Sequence, residues 1–222
     1  MTTKERIAEE ALTLFSTQGY DGTSVKEIGA AAGIRDSSIY KHYRSKREIV
    51  DAIVEQMRAR MAQMSAALGL PQGNDAEEAA AVYGTLSPEG LQSLSRQVFL
   101  FYLKDPFVSR FWRLALMEQY RNTEIYEIYR DLFLEQSVAY LGSLFSEMIR
   151  QGAFRPADPR AMALNFYAPI YFLLCKYSGR PEQEKEALEA LDRQVAEFCR
   201  LYRPEAARGN DRRYPSEKET AL

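Results

Sequence analysis

Apolar residues recur at intervals of three and four positions along most of the chain, a spacing that places them on one side of an α-helix. No segment shows the sustained alternation of apolar and polar residues that is typical of a strand. The pattern therefore predicts an all-α protein. The predicted helices cover about residues 3–18, 24–32, 37–43, 45–68, 75–83, 88–103, 106–120, 123–151, 159–178 and 181–202.

Several predicted helix starts carry side chains that can satisfy free backbone N–H groups. Thr2 with Glu5, and Ser24 with Glu27, have the spacing of a capping box. Gly33 follows the second helix, and it tolerates the positive φ that a tight turn requires. An N-cap side chain followed by proline, which is favoured at the first helical position, occurs at Ser87, Asp105 and Asp158.

The pattern divides the chain into two helical units. Residues 1–50 form three short helices with a glycine-bearing turn, the arrangement of a helix-turn-helix domain. The fourth helix, about 45–68, links it to a larger helical unit over 51–202. Residues 203–222 have almost no apolar face, and we expect a flexible tail there. A length of 222 residues is sufficient for two such units.

Charge along the chain points to a local binding surface. The formal net charge of −2 excludes nucleic-acid binding through overall charge, so any such contact needs a local patch. Between Gly33 and Val50, five basic residues stand against two acidic ones, a net charge of +3. Taken alone, these charges are also typical of a solvated helix face. Together with the predicted helix-turn-helix, they favour a DNA-binding surface.

Helical geometry assigns sides to the third helix. At 100° per residue, Ile39 and Tyr43 lie on one side and Ser37 and Lys41 lie nearly opposite. We therefore expect Ile39 and Tyr43 in the core, and Ser37 and Lys41 in a major groove with Ser38 beside them. The residues expected near the flanking phosphates are Tyr40 and His42.

Two residues before the third helix each have two interpretations. Arg35 can recognise O6 and N7 of guanine, or it can bind a phosphate. Asp36 can accept a hydrogen bond from N4 of cytosine, or it can cap the helix. Lys46, beside the free N–H groups at the start of the fourth helix, is expected to bind phosphate.

This N-terminal segment resembles the TetR/AcrR family over roughly residues 5 to 55. The resemblance rests on Phe15, Gly19, Tyr20, Thr23, Ser24, Val25, Ile28, Ala32, Gly33, Ile34, Ile39, Tyr40, His42, Tyr43, Ser45 and Lys46. It implies a homodimer that binds a palindromic operator in double-stranded DNA and is released by a ligand. It also implies phosphate contacts from Tyr40, His42 and Lys46. The DNA-binding candidates are Ser24, Arg35, Asp36, Ser37, Ser38, Tyr40, Lys41, His42 and Lys46.

The segment departs from the family pattern at three positions. Arg35 replaces a residue that is usually small, Asp36 stands where lysine is common, and Gly29 stands where alanine is expected. Two of these lie at the expected DNA surface. The operator of a relative therefore does not transfer to this chain.

Aromatic residues are concentrated between Phe99 and Phe133, which predicts a cavity for a small hydrophobic or aromatic effector. The same stripes also serve as plain core in helical bundles. Pro169 is expected to bend its helix and open space near Tyr167 and Tyr171. The pocket candidates are Tyr102, Phe111, Trp112, Met117, Tyr120, Tyr126, Tyr129, Phe133, Tyr167 and Tyr171.

The last two helices are expected to form a four-helix dimer interface with a second copy. This arrangement is also what the family resemblance implies. Dimerisation would place two recognition helices about one DNA turn apart and so select a palindrome. The interface candidates are Phe166, Ile170, Leu174, Leu188, Leu191, Val195 and Phe198.

Other functional classes receive little support. The most apolar window, 161–175, is shorter than the ~20 residues of a membrane span. Cys175 and Cys199 lack metal-site spacing, and His42 is the only histidine, so we expect no metal, no cofactor and no catalytic triad. No secretory segment is recognisable, and we expect a cytoplasmic protein without membrane contact. The alternatives are a DNA-binding regulator without a small-molecule inducer and an all-helical enzyme.

Overall fold

The computed structural model describes residues 1–71 and 75–204, and the regular elements in these ranges are all helical. Shorter turns of π and 3-10 type occur at Asp131–Glu135 and Pro181–Gln183. The helices are α1 (Thr3–Gln18), α2 (Val25–Ala31), α3 (Asp36–Ile39), α4 (Lys46–Ala67), α5 (Ala76–Gly84), α6 (Pro88–Lys104), α7 (Pro106–Glu118), α8 (Thr123–Arg130), α9 (Gln136–Arg150), α10 (Pro159–Tyr177) and α11 (Glu184–Tyr202).

The helix starts follow the capping signals in the sequence. The hydroxyl of Thr2 accepts the Glu5 N–H, and the carboxylate of Glu5 accepts the Thr2 N–H in return. Ser24 and Glu27 form the same reciprocal pair at the start of α2. Both capping boxes are confirmed. The proline starts are confirmed as well, at α6, α7 and α10.

The third helix is shorter than predicted. It covers four residues and then continues as a tight turn, in which the His42 N–H donates to the Ile39 carbonyl at 2.8 Å. Arg35 occupies the N-cap position without a side-chain hydrogen bond. Asp36 is the first residue of the helix itself, so its assignment as the N-cap is wrong, although its carboxylate accepts the N–H of Ser37. Gly33 turns the chain before it with a φ of 67°, as expected.

One predicted helix, 123–151, is divided by a π-helical turn. The N–H of Gln136 donates to the carbonyl of Asp131, five residues earlier, where an α-helix would use the fourth. Within this turn, the Phe133 carbonyl accepts the Tyr167 hydroxyl and the Leu132 carbonyl accepts the Ser137 hydroxyl. The wider turn thus offers carbonyls to side chains from its surroundings.

Helix α10 continues through Pro169 without ending. Proline has no N–H, so the carbonyl of Asn165 one turn earlier has no helical donor. The side-chain amide of Gln194, on α11, donates to that carbonyl at 3.1 Å. The packing of α11 against α10 therefore compensates for the proline.

Helices α1 and α7 join the N-terminal unit to the larger one. Arg110 on α7 donates hydrogen bonds to Thr13 and Glu9 on α1. The carboxylate of Glu118, at the end of α7, accepts the backbone N–H of Tyr20 at 2.8 Å. One apolar core runs from α1 through α4 and α7 to α11. A boundary at residue 50 therefore stays a prediction.

The ends of the described ranges bear on two further expectations. Arg203, predicted to start the flexible tail, is buried against α11. Residues 205–222, the rest of that predicted tail, lie outside the described residues. None of the helices in the described ranges combines the length and apolar character that a membrane crossing requires.

Candidate DNA-binding surface and ligand cavity

The helix-turn-helix is built on buried apolar side chains from its three helices. Ile39 and Tyr43 are buried, as their position on the third helix predicted. They pack in one core with Phe15 and Ile28. The hydroxyl of Tyr43 donates to the carbonyl of Lys4 at 2.9 Å, and burial raises the pKa of Tyr43 to about 12. These contacts fix the direction in which the rest of the third helix faces.

The opposite side of this segment is open to solvent. Arg35, Asp36, Ser37 and Lys41 are exposed, and Tyr40 is 58% exposed. The half-buried members of the set are Ser38 and His42. Tyr40 therefore presents its ring and hydroxyl to an external partner beside these polar and basic side chains.

The cations of this surface divide into paired and unpaired ones. Arg47 forms ion pairs with Asp51 and with Glu124 of the larger unit. Glu48 accepts the backbone N–H of Arg44. Among the described residues, the ion pairs include none of the exposed cations Lys26, Arg35, Lys41 and Arg44. These four side chains are therefore available to an external anion.

Two DNA-binding candidates have intramolecular partners. The hydroxyl of Ser24 donates to the Glu27 carboxylate, and hydrogen bonds from Ser24 lower the pKa of Glu27. The ammonium of Lys46 donates to the carbonyls of Tyr20 and Thr23 at 2.7 and 2.9 Å, and it lies over the Tyr20 ring. A phosphate contact from Lys46 would have to use its third N–H bond. Its contacts in this structure hold the α1–α2 connection.

A cavity of about 290 Å³ lies inside the larger unit. Its wall comes from α4, α5, α6, α7, α9 and α10, and it is mostly apolar. Its hydroxyl groups come from Tyr83, Tyr140, Tyr102, Tyr167, Ser95 and Ser137. None of the described residues that line it carries a formal charge. The cavity is at the small end of ligand-binding pockets, which commonly span ~300–1,000 Å³.

The structure brings three of the predicted pocket residues to this cavity: Tyr102, Trp112 and Tyr167. Phe111, Tyr129 and Phe133 are buried behind the wall as core, the alternative that the pattern left open. Tyr120 is 90% exposed and is removed from the pocket assignment. Tyr126 and Tyr171 pack partly buried against the core, Met117 is half-buried, and none of the three lines the cavity.

The sequence analysis missed the part of the wall that comes from α5 and α9. Ser137, Tyr140, Leu144 and Met148 follow each other along one face of α9, at helical spacing. Tyr83 on α5 lines the same cavity, and burial, together with the neighbouring Tyr140, raises the pKa of Tyr83. Hydroxyl-bearing residues within an apolar stripe were the signal in the sequence for this wall.

The predicted dimer residues face inward. Leu191, Val195 and Phe198 are buried within a single chain, so they are not available to a partner. Leu188 is half-buried and packs against the same core. Phe166, Ile170 and Leu174 line the cavity instead. This interface assignment is therefore corrected.

Solvent-exposed apolar side chains lie on the side of α10 that faces away from the cavity. Leu164 is 49% exposed and Phe172 is 62% exposed. Ala168 and Cys175 are exposed on the same side of this helix. On α11, Leu201 is exposed as well.

The N-terminal unit matches a known family. The model for "Bacterial regulatory proteins, tetR family" matches residues 7–53. The biofilm operon icaADBC HTH-type negative transcriptional regulator IcaR of Staphylococcus epidermidis is 44% identical over 52 residues, which are 23% of this chain and 28% of that protein. The match thus spans little more than a quarter of that relative's length.

Solved structures share the fold of the whole chain. The complex of SmeT with triclosan has a TM-score of 0.71 at 19% identity, over 100% of this chain and 99% of that one. SmeT is the repressor of the Stenotrophomonas maltophilia multidrug efflux pump SmeDEF. FadR of Bacillus subtilis, in complex with stearoyl-CoA, has a TM-score of 0.62 at 19% identity, over 87% and 96%. The N-terminal helix-turn-helix, residues 7–53, thus matches the tetR family of bacterial regulatory proteins, and the whole chain shares its fold with the solved structures named above.

Proposed function

We propose that this chain is a DNA-binding transcriptional repressor, which acts as a homodimer on a palindromic operator and is released by a small hydrophobic ligand. The observation that carries the proposal is the exposed segment 35–41 with unpaired cations, held by a buried Ile39 and Tyr43 in a TetR-family domain. Repression is supported by the described roles of IcaR and SmeT, which are a negative regulator and a repressor.

In this proposal the exposed segment enters the major groove of DNA. Ser37 and Lys41 face the base edges, and Arg35 and Asp36 supply contacts specific to this chain. Tyr40 and His42 contact the flanking phosphates. When the unpaired cations neutralise phosphates, they release counterions that were bound to the DNA. Because this release is less favourable at a higher salt concentration, DNA binding should weaken as salt is added.

DNA binding is tested with a labelled duplex from the region upstream of the gene that encodes the chain. Fluorescence anisotropy should show binding that weakens with salt, and Lys41→Ala should weaken it about tenfold or more. Lys185→Ala, which removes an exposed lysine from α11, is the matched control and should leave affinity unchanged. Equal affinities for the two variants would contradict the assignment of the surface.

A second copy of the chain is proposed to cover the exposed face of α10. Leu164, Ala168 and Phe172 form an open apolar stripe on this helix, and side chains of this kind are normally covered. Phe172→Glu should give a monomer by light scattering and should weaken DNA binding more than tenfold, since two half-sites then bind independently. Val82→Glu, an exposed apolar residue on α5, is the control. A Phe172→Glu protein that remains dimeric would refute this interface.

Ligand control is proposed to pass from the cavity to the N-terminal unit through α7, together with α4. Trp112 on α7 lines the cavity, and Arg110 and Glu118 on the same helix bind α1 and the connection after it. A ligand that favours one position of α7 by ~1–3 kcal/mol would change DNA affinity about fivefold to 150-fold. Thermal-shift screening with hydrophobic compounds, followed by anisotropy with DNA, tests this coupling. Compounds that raise the melting temperature without releasing DNA would refute it.

A further inference from the structure

Two hydrogen-bond donors in the cavity wall have no partner within the described part of the chain. The indole N–H of Trp112 is buried and makes no hydrogen bond. The hydroxyl of Tyr102 has none either, and this half-buried side chain lines the cavity. The two rings are neighbours, with their centroids 6.3 Å apart. The two unpaired donors therefore come from neighbouring side chains of the wall.

Two other hydroxyls of the wall are engaged within the protein. Tyr167 donates to the carbonyl of Phe133, and Ser137 donates to that of Leu132. Burial, together with the neighbouring Tyr140, raises the pKa of Tyr83. Part of the wall is thus satisfied by the protein itself, whereas Tyr102 and Trp112 keep donors without a partner in the described part of the chain.

An unpaired buried donor carries a free-energy cost of about 1–3 kcal/mol, which a ligand acceptor would relieve. A charged ligand group would be less favourable in this cavity. It would lose its hydration, and none of the described lining residues offers an opposite charge in return. Burial also raises the pKa of Tyr102 and Tyr167, so both phenols stay neutral at physiological pH. The wall therefore favours an acceptor that has no charge.

We propose that the effector is an uncharged lipophilic carbonyl compound, such as a ketone or an ester, whose oxygen accepts hydrogen bonds from the Tyr102 hydroxyl and the Trp112 indole N–H. This inference rests on the proposed function only in treating the cavity as the effector site. The apolar remainder of the wall holds the hydrocarbon part of the ligand, and the donor pair selects the functional group.

The test compares four probes of nearly equal size: methyl hexyl ketone, the alkene in which a methylene group replaces the carbonyl oxygen, octanoate and octylamine. Binding is followed at neutral pH by the fluorescence of Trp112, which is the only tryptophan of the chain, and by the melting temperature. Each probe is titrated into the unmodified protein, Tyr102→Phe and the control Tyr120→Phe, in which the same atom is removed from an exposed side chain.

The unmodified protein should bind the ketone about fivefold to tenfold more tightly than the alkene, the effect of one net hydrogen bond. Octanoate and octylamine should bind at least about tenfold more weakly than the ketone. In Tyr102→Phe the preference for ketone over alkene should fall to about twofold or less, and in Tyr120→Phe it should be unchanged. If Tyr102→Phe does not fold, the ranking of the four probes on the unmodified protein still tests the proposed ligand class.

Equal binding of ketone and alkene, tighter binding of either charged probe, or no binding of the ketone overturns the inference. Anisotropy with labelled DNA in the same samples separates this result from the proposed function. Tight ketone binding without DNA release supports the ligand class and contradicts ligand control. DNA release by a charged probe supports ligand control and contradicts the ligand class.

Discussion

Replacing Glu118 by alanine tests the contact between the two helical units. The carboxylate of Glu118 is 2% exposed and accepts the Tyr20 N–H at 2.8 Å. A hydrogen bond to a charged group contributes about 1.5–3 kcal/mol, and alanine would also leave the Tyr20 N–H without an acceptor. Burying the carboxylate has its own cost, which alanine partly recovers. We therefore expect Glu118→Ala to lower the free energy of unfolding by about 2 kcal/mol.

Glu118→Gln is the matched comparison, because its side-chain oxygen can still accept the Tyr20 N–H without a charge. We expect it to lose less than about 1 kcal/mol. Glu189→Ala, at an exposed position of α11, should change stability by less than about 0.5 kcal/mol. Urea unfolding followed by circular dichroism gives the three values. If alanine and glutamine at position 118 differ by less than about 0.5 kcal/mol, the hydrogen bond does not hold the junction.

Three further predictions use the same unfolding measurements. Gly19 has a φ of 83°, and a Cβ there would lie 2.9 Å from Oε1 of Glu118, so Gly19→Ala should lower the melting temperature. Gly142 lies in a helix, and a Cβ added there would meet no atom within 4 Å, so Gly142→Ala should raise the melting temperature. If the two glycine variants shifted the melting temperature in the same direction, this account would be contradicted. Tyr43→Phe should cost about 1 kcal/mol, because it removes the hydrogen bond to the Lys4 carbonyl; no loss would mean that this bond contributes nothing. Burial raises the pKa of Tyr43 and Tyr167 to about 12. Since the unfolded chain releases these protons near pH ~10, the stability they contribute should be complete below pH ~10 and should decline toward pH ~12, and a melting temperature constant over that range would refute this.

Local signals in the sequence predicted the helix starts well. The capping boxes at Thr2 and Ser24 depend on contacts between residues three positions apart, and these form whatever the rest of the chain does. The burial of Ile39 and Tyr43 followed from helical spacing in the same way. Helical spacing did not predict the end of α3, because the chain after Ile39 changes to a tighter hydrogen-bond pattern that residue spacing does not reveal.

The cavity and the interface were predicted less well, because they depend on which face of a helix meets which neighbour. Helix α10 is apolar on nearly every side, so periodicity could not separate Phe166 and Leu174, which face inward, from Leu164 and Phe172, which are exposed. The π-helical turn adds a second difficulty. A count at 3.6 residues per turn loses its phase there, and the α9 part of the wall was missed.

That turn has a consequence for the length of the chain. Its wider hydrogen bond, from Gln136 to Asp131, accommodates one residue more than an α-helical turn would. Deleting a single residue between 131 and 135 would convert the π-helical turn to regular α-helix. The side chains of Tyr129 before the turn and Tyr140 after it would then keep their directions. Deleting one residue within α9 would instead rotate everything beyond it by about 100°. Natural variants that differ by one residue in length should therefore differ in this turn, and an alignment gap there need not signal a different cavity.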